Sequence, residues 1–239
     1  MDSQDWKQRT GLLLGEESVE KLSSRSVMVV GIGGVGAFAA EMLARAGVGH
    51  LTLVDGDVVS VTNLNRQLPA LHSTLGMQKV EVMRQRILDI NPDADVNVVS
   101  KFIDIDAVPE LLAPGFDFVV DAIDAVAPKV ALIERCVHSG TKIVSSMGAG
   151  GRKDPTVVQI VDISKTYHDG LARAVRQRLR FKGISSGVKV VWSPEQPSKS
   201  ACQLTDELPN KRSSYGTVSY MPCVFGCVLA SHVIMHLSK

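Results

Sequence analysis

Four glycines in six residues, Gly31, Gly33, Gly34 and Gly36, follow the apolar run Val27–Val30 and open a helical pattern over Val35–Ala46. Few folds accommodate a strand, a glycine turn and a helix in immediate succession. The turn must be tight, and its backbone N–H groups end at a helix N-terminus, where they bind phosphate. Asp55 closes the next candidate strand, at the place where a carboxylate accepts hydrogen bonds from ribose hydroxyls. These residues alone indicate a nucleotide or dinucleotide. An NAD-dependent oxidoreductase would carry the same turn.

The chain around this turn alternates short β-branched runs with helical patterns. Candidate strands are Ser26–Val30, His50–Val54, Asp95–Ser100, Phe116–Val120 and Lys142–Ser146. Between them run helical stretches such as that of Met77, Val80, Met83 and Ile87, and Gly47 and Pro92 stand where helices stop. The pattern predicts an α/β fold: a Rossmann-like, mostly parallel sheet with helices on both faces. The character changes after Gly148–Gly151. A strand over Thr156–Ile163, a basic helix over Leu171–Lys182 and a long exposed loop over Ser193–Ser214 are expected there. We divide the chain at residues 1–147 and 148–239, the second part being a smaller C-terminal α/β extension of one continuous fold.

The 239 residues, 45% of them hydrophobic, suffice for a large apolar core without disulfides or structural metals. A net charge of +1 does not by itself indicate nucleic acid, so any basic surface must be local. The four cysteines, Cys136, Cys202, Cys223 and Cys227, form no Cys-x-x-Cys pair; we expect no zinc and a reducing, cytoplasmic setting. No secretory signal is read in Met1–Arg9. The apolar stretch Met221–Leu237 is short for a membrane span and contains His232 and His236. A buried terminal helix is expected there, with peripheral membrane association left open.

The residues after Asp55 separate two chemistries. Asn63 and Arg66 fall in the loop beyond the strand, Lys79 at the start of the next helix, and Asp124 just after the fourth strand. Hydride transfer needs no cations converging on phosphate. Phosphoryl chemistry does, together with a carboxylate that holds Mg2+ against phosphate oxygens.

The segments VVGIGGVGA, LTLVDGDVVSVTNLNRQ, GMQKVE and VVDAIDAVAPK resemble the adenylating fold of ubiquitin-activating-like enzymes, including the sulfur-carrier activators of thiamine and molybdopterin synthesis. In the second part, GAGGRKDPTVVQIVDISKT, DGLARAVRQRLR, VVWSPEQP and SYGTVSYMPCVFGCVLASH resemble one branch, the tRNA threonylcarbamoyladenosine dehydratases. That branch uses ATP to activate the threonyl carboxylate of a modified adenosine beside the anticodon, which then cyclises. The resemblance implies ATP and Mg2+ as cofactors, tRNA as substrate, and a homodimer whose second part binds substrate and supports the dimer. It implies that the glycine turn around Gly34 contacts the triphosphate, that Asp55 binds ribose, and that Asn63 and Arg66 contact phosphates. Lys79 would meet the phosphates near the reacting centre and Asp124 the Mg2+. Arg9 matches an arginine that such dimers lend to the partner's ATP.

Several relatives also carry a loop cysteine that forms a thioester or persulfide, and Cys202 is the candidate for it here. A sulfur-relay or carrier protein is therefore a second kind of partner to consider. On the basic helix, Arg173, Arg176 and Arg180 share one face and are candidates for tRNA backbone contact. Three readings stay open on the sequence: tRNA dehydratase, activator of a sulfur-carrier or ubiquitin-like protein, and NAD-binding oxidoreductase or non-catalytic nucleotide-binding module. The cations and Asp124 weigh against the last.

Overall fold

The computed structural model describes residues 5–208 and 211–239, without the side chains of Asp5, Lys199 and residues 202–214. Two short helices, α1 (Gln8–Leu14) and α2 (Glu16–Ser23), lead into β1 (Ser26–Val30). Then follow α3 (Gly36–Arg45), β2 (His50–Val54), α4 (Lys79–Ile90), β3 (Asp95–Val99), α5 (Val108–Leu112), β4 (Phe118–Asp121), α6 (Val126–Ser139) and β5 (Lys142–Ser146). The C-terminal part adds β6 (Gln159–Asp162), α7 (Gly170–Phe181), β7 (Lys189–Trp192), β8 (Cys202–Leu208), β9 (Lys211–Tyr215) and α8 (Tyr220–Leu237).

The period of two along each strand distributes the core. Val27 and Val29 of β1 face one way with Leu51 and Leu53 of β2, meeting Leu43 of α3, Met83 of α4 and Phe225 of α8. Met28 and Val30 face the other way with Val119, meeting Leu132 and Cys136 of α6. Helices therefore cover both faces, as predicted, because strands buried on both sides carry no polar alternation.

The sheet order is β3-β2-β1-β4-β5-β7-β6, parallel throughout except for β6, which pairs antiparallel with β7. The order reverses between β1 and β4. In an open α/β sheet the crevice for ligands lies at that switch, beyond the C-terminal strand ends. The first five strands begin within two residues of their expected positions. β7 was not expected; it lies between β5 and β6 and carries the sheet across position 147 without a break.

The exposed loop expected over Ser193–Ser214 is instead a short 3-10 turn at Lys199–Ala201 followed by the antiparallel ribbon β8–β9. Its sequence, CQLTDEL and KRSSY, has few apolar residues and so no legible apolar alternation. The terminal stretch is helix α8. Its length and apolarity would allow a membrane crossing, but it packs on α3, burying Met221, Phe225, Leu229 and Val233. The packing is close at Gly226, where a Cβ would lie 2.4 Å from the Val35 carbonyl oxygen.

Candidate nucleotide site

A cleft of about 820 Å³ opens at the switch between β1 and β4, lined by the glycine turn, the ends of β2 and β4, and the start of the C-terminal part. The glycines of the turn do different work. Gly31 has φ +90°, and a Cβ there would meet the Ala122 carbonyl oxygen at 2.7 Å; one at Gly36 would lie 1.8 Å from the Gly31 oxygen. These two let the turn close against β4. Gly33 faces open space, with no atom nearer a would-be Cβ than Gln67 Nε2 at 3.9 Å. Room at Gly33 is what a phosphate needs. Gly34 also lines the cleft, packed between Arg66 and Pro222.

Asp55 follows β2 into the cleft. Its Oδ2 accepts from Ile32 N–H at 2.6 Å and its Oδ1 from Asp57 N–H at 2.8 Å, which ties the glycine turn to the end of β2. Burial pushes the Asp55 carboxyl above its ordinary value, against those N–H donors and the Lys79 ammonium, which favour the charged form. Lys79 is the first residue of α4. It is buried, and its Nζ donates to Asp57 Oδ2 at 2.7 Å. Asp57 escaped the sequence reading because its partner lies in a different element. A carboxylate just after Asp55 and facing a helix start was the available signal.

Arg66 and Asp124 both line the cleft, and Asp124 attracts the Arg66 guanidinium. Burial lowers Arg66 from its usual value and the Asp124 charge opposes that shift. Arg66 Nη1 also donates to Thr62 O at 2.9 Å and Asn65 Oδ1 at 2.8 Å, so the loop that carries it also aims it. Asn63 does not line the cleft. It is buried, its Oδ1 accepts from Ser60 N–H at 3.1 Å, and it caps the turn that presents Arg66.

Beneath Asp124 lies a buried ion pair. Lys129 Nζ donates to Asp121 Oδ2 at 2.7 Å, Ser145 Oγ at 3.0 Å and Ser146 O at 3.0 Å, and both charged side chains are fully buried. Asp121 Oδ1 accepts from Ile123 N–H at 3.0 Å, anchoring the turn that carries Asp124.

The opposite wall belongs to the C-terminal part. Arg152 pairs with Asp169 at 3.0 Å, both side chains 2% exposed. Asp169 Oδ2 accepts from Gly148 N–H and its Oδ1 caps α7 through Ala172 N–H. Sequence reading missed this pair because single charges in loops carry no local signature.

The other candidates lie elsewhere. Arg9 is exposed on α1 and does not line its own chain's cleft. On α7, Arg173 and Arg180 are exposed, whereas Arg176 is half-buried and donates to both oxygens of Thr166, so the outward stripe narrows to two arginines. The side chains of Cys202, Lys199, Lys211 and Arg212 lie outside the described residues. Cys136 is buried and its thiol is pushed up to about 12 by burial; Cys223 is pushed up to about 11, first by burial and then by Cys227. Neither is a ready nucleophile.

A glycine turn on a parallel sheet, with a carboxylate at the ribose position and cations beside it, defines a nucleotide-binding α/β protein. The chain belongs to the ThiF family, whose model matches residues 7–239. Within it, the chain is 41% identical to a tRNA threonylcarbamoyladenosine dehydratase of Bacillus subtilis, across 97% of this chain and 94% of that protein. It is similar in structure to the E. coli tRNA N6-threonylcarbamoyladenosine dehydratase in complex with ATP, with a TM-score of 0.91 and 38% identity over 99% of this chain and 96% of that one. A molybdopterin-synthase adenylyltransferase of Haemophilus influenzae is 34% identical over 71% of this chain and 68% of its own length.

Proposed function

We propose that this chain uses ATP to cyclise the threonylcarbamoyl group on the adenosine next to a tRNA anticodon. What carries this reading is that the cleft joins the phosphate-binding turn to the C-terminal part, where the likeness to the dehydratases continues. The substrate carboxylate oxygen attacks the α-phosphorus of ATP. The bond between the α- and β-phosphates breaks and pyrophosphate leaves. A nucleophile of the substrate's own ureido group then attacks the acyl carbon, closes the ring and releases AMP, which carries away the oxygen formally lost as water.

Arg66 and Lys79 offset the negative charge that shifts onto the departing pyrophosphate. Asp124 is the carboxylate for Mg2+. Among the described residues no three His, Cys, Asp or Glu side chains group to hold a metal, so the ion would take its other ligands from phosphate oxygens and water, the usual manner of Mg2+. It would neutralise phosphate charge. No thiol is required in either step, and Cys202 has no assigned role in this scheme.

The test is direct. Purified protein with ATP and threonylcarbamoyl-modified tRNA should give AMP, pyrophosphate and a nucleoside lighter by one water. ADP as the sole nucleotide product, or turnover with a Gly-Gly-ended carrier protein and none with tRNA, overturns the reading.

Two further outcomes follow from this function. The exposed α1 carries Arg9 beside Leu12 and Leu13, 81% and 83% exposed, an apolar surface suited to a second copy of the chain. In a homodimer with Arg9 reaching the partner's cleft, mixing Arg9→Ala and Lys79→Ala chains should restore up to one intact site per heterodimer. Two inactive parents then give partial activity; no recovery after verified subunit exchange places Arg9 outside catalysis.

Arg173 and Arg180 supply the basic outer face of α7. Changing both to Gln should weaken tRNA binding and lower its log–log salt slope by roughly one to two units, one per lost phosphate contact, with ATP affinity unchanged. An unaltered slope makes that face merely solvated.

A further inference from the structure

Two aromatic rings line the cleft, Phe102 and Tyr215. Phe102 lies over Gly56, next to the ribose-side Asp55, since a Cβ at Gly56 would meet the Phe102 ring at 2.8 Å. Tyr215 lies on the other wall, against Gly150 and Gly151. A Cβ at Gly150 would come within 2.8 Å of the Tyr215 Cβ, and one at Gly151 within 3.1 Å of its Cδ1. The glycine pair therefore leaves a backbone ledge, and the tyrosine ring is seated on it.

The ledge is fixed from both sides. Gly151 N–H donates to Gly216 O at 2.9 Å, Gly216 N–H donates to Ala201 O at 2.7 Å, and Thr217 Oγ1 donates to Tyr215 O at 3.2 Å. The Tyr215 residue stays 42% exposed although its backbone is pinned. A pinned aromatic ring on a cleft wall offers a π-face at little ordering cost.

ATP accounts for one of the two rings. With its ribose at Asp55 and its phosphates at the glycine turn, its adenine falls on the Phe102 side. The reaction brings a second purine into the same cleft. The carboxylate to be activated hangs from that purine by a ureido arm, so the purine itself stands back from the α-phosphate, on the side away from ATP. Every base has a π-face, and unpaired bases are held by stacking on aromatic side chains.

We propose that Tyr215, seated on Gly150 and Gly151, is the stacking surface for the purine of the substrate adenosine. The inference rests on the tRNA reading above and deepens it by naming the base subsite. The ring, not the hydroxyl, is the active feature.

Turnover of threonylcarbamoyl-modified tRNA and ATP affinity are compared in the unmodified protein and in Tyr215→Phe, Tyr215→Leu and Tyr215→Ala. Phe should stay within about twofold in KM for tRNA, while Leu and Ala raise it about tenfold, within the range that base stacking supplies. The dissociation constant for ATP should hold in all three, which also verifies folding. Tyr215→Trp should retain turnover, and its emission should be quenched by modified tRNA beyond the change seen in the unmodified protein. An unmodified protein that turns over the tRNA, with a Leu variant of unchanged KM, sinks the stacking role alone. A Phe variant as impaired as Leu assigns the effect to the hydroxyl and likewise overturns it. Failure of the unmodified protein to turn over modified tRNA overturns the functional reading itself.

Discussion

Replacing Asp124 by alanine is expected to leave ATP bound with nearly unchanged affinity while slowing pyrophosphate release about a thousandfold. In the function proposed above, the glycine turn, Asp55 and Lys79 hold the ground-state nucleotide, and they are tied to one another through Ile32 and Asp57. In the proposed reaction, charge moves onto the β-phosphate only as the anhydride bond breaks, and a carboxylate holding Mg2+ against those oxygens would act on that change. An interaction realised mainly in the transition state lowers kcat and leaves binding alone, and losing one such group typically costs a hundred- to a thousandfold. Isothermal calorimetry with ATP and a rapid-quench assay of pyrophosphate separate the two quantities. If affinity and rate fall by the same factor, Asp124 serves binding and the metal belongs elsewhere. Asp124 also attracts the Arg66 guanidinium, so Asp124→Asn is the necessary companion. Asn keeps the side-chain shape but not the charge, and the rate loss should persist.

The strands legible in the sequence were those that carry β-branched runs, including the edge strand β3, whose exposed residues alternate. Ser26–Val30, His50–Val54 and Lys142–Ser146 have the bounds their β-branched runs suggest. β4 begins later than expected, at Phe118, because Asp117 is occupied as an anchor: its Oδ2 accepts from Ser26 N–H and its Oδ1 pairs with Arg25. It also runs one residue further, because Asp121 is a charged residue buried inside a strand, against every strand propensity. No local rule places it there. Its counter-ion, Lys129, sits on the next helix. β7 was missed for a different reason: KVVW is four residues long, and its place between β5 and β6 is a matter of pairing. Met77 was counted with the face of α4 but precedes the helix and stands partly exposed, while Val80, Met83 and Ile87 form the buried stripe.

The site divides along the same line. Glycines, Asp55, Lys79 and Asp124 are legible because their spacing is set by the strand-turn-helix units that carry them. Asn63 falls at a suggestive place in the sequence, but it does not line the cleft, and its side-chain carbonyl oxygen is spent on a backbone cap. Asp57, Arg152, Asp169 and Tyr215 come together only when elements distant in sequence pack. Arg152 and Asp169 are 17 residues apart and share no periodicity.

The buried pair below the site should give the largest stability effect in the molecule. Lys129 uses all three ammonium protons on Asp121, Ser145 and Ser146, and Asp121 accepts from Lys129, Ser145 and Ile123. Such a network is worth little against a well-packed apolar replacement, yet removing one partner strands the other charge in a dry interior. Lys129→Met should therefore cost about 3–5 kcal/mol, read as a shift in urea midpoint with unchanged slope. Asp121→Leu, which strands the ammonium instead, should cost a similar amount. In the double variant no charge remains, so its stability should lie above that of either single variant. Activity should behave differently. Ile123 N–H loses its acceptor in the double variant, the turn bearing Asp124 is no longer anchored, and pyrophosphate release should stay low although the fold has recovered. A double variant less stable than both singles would show that the network stabilises by itself. Restored activity in that variant would show that the Asp124 turn holds its position without Asp121.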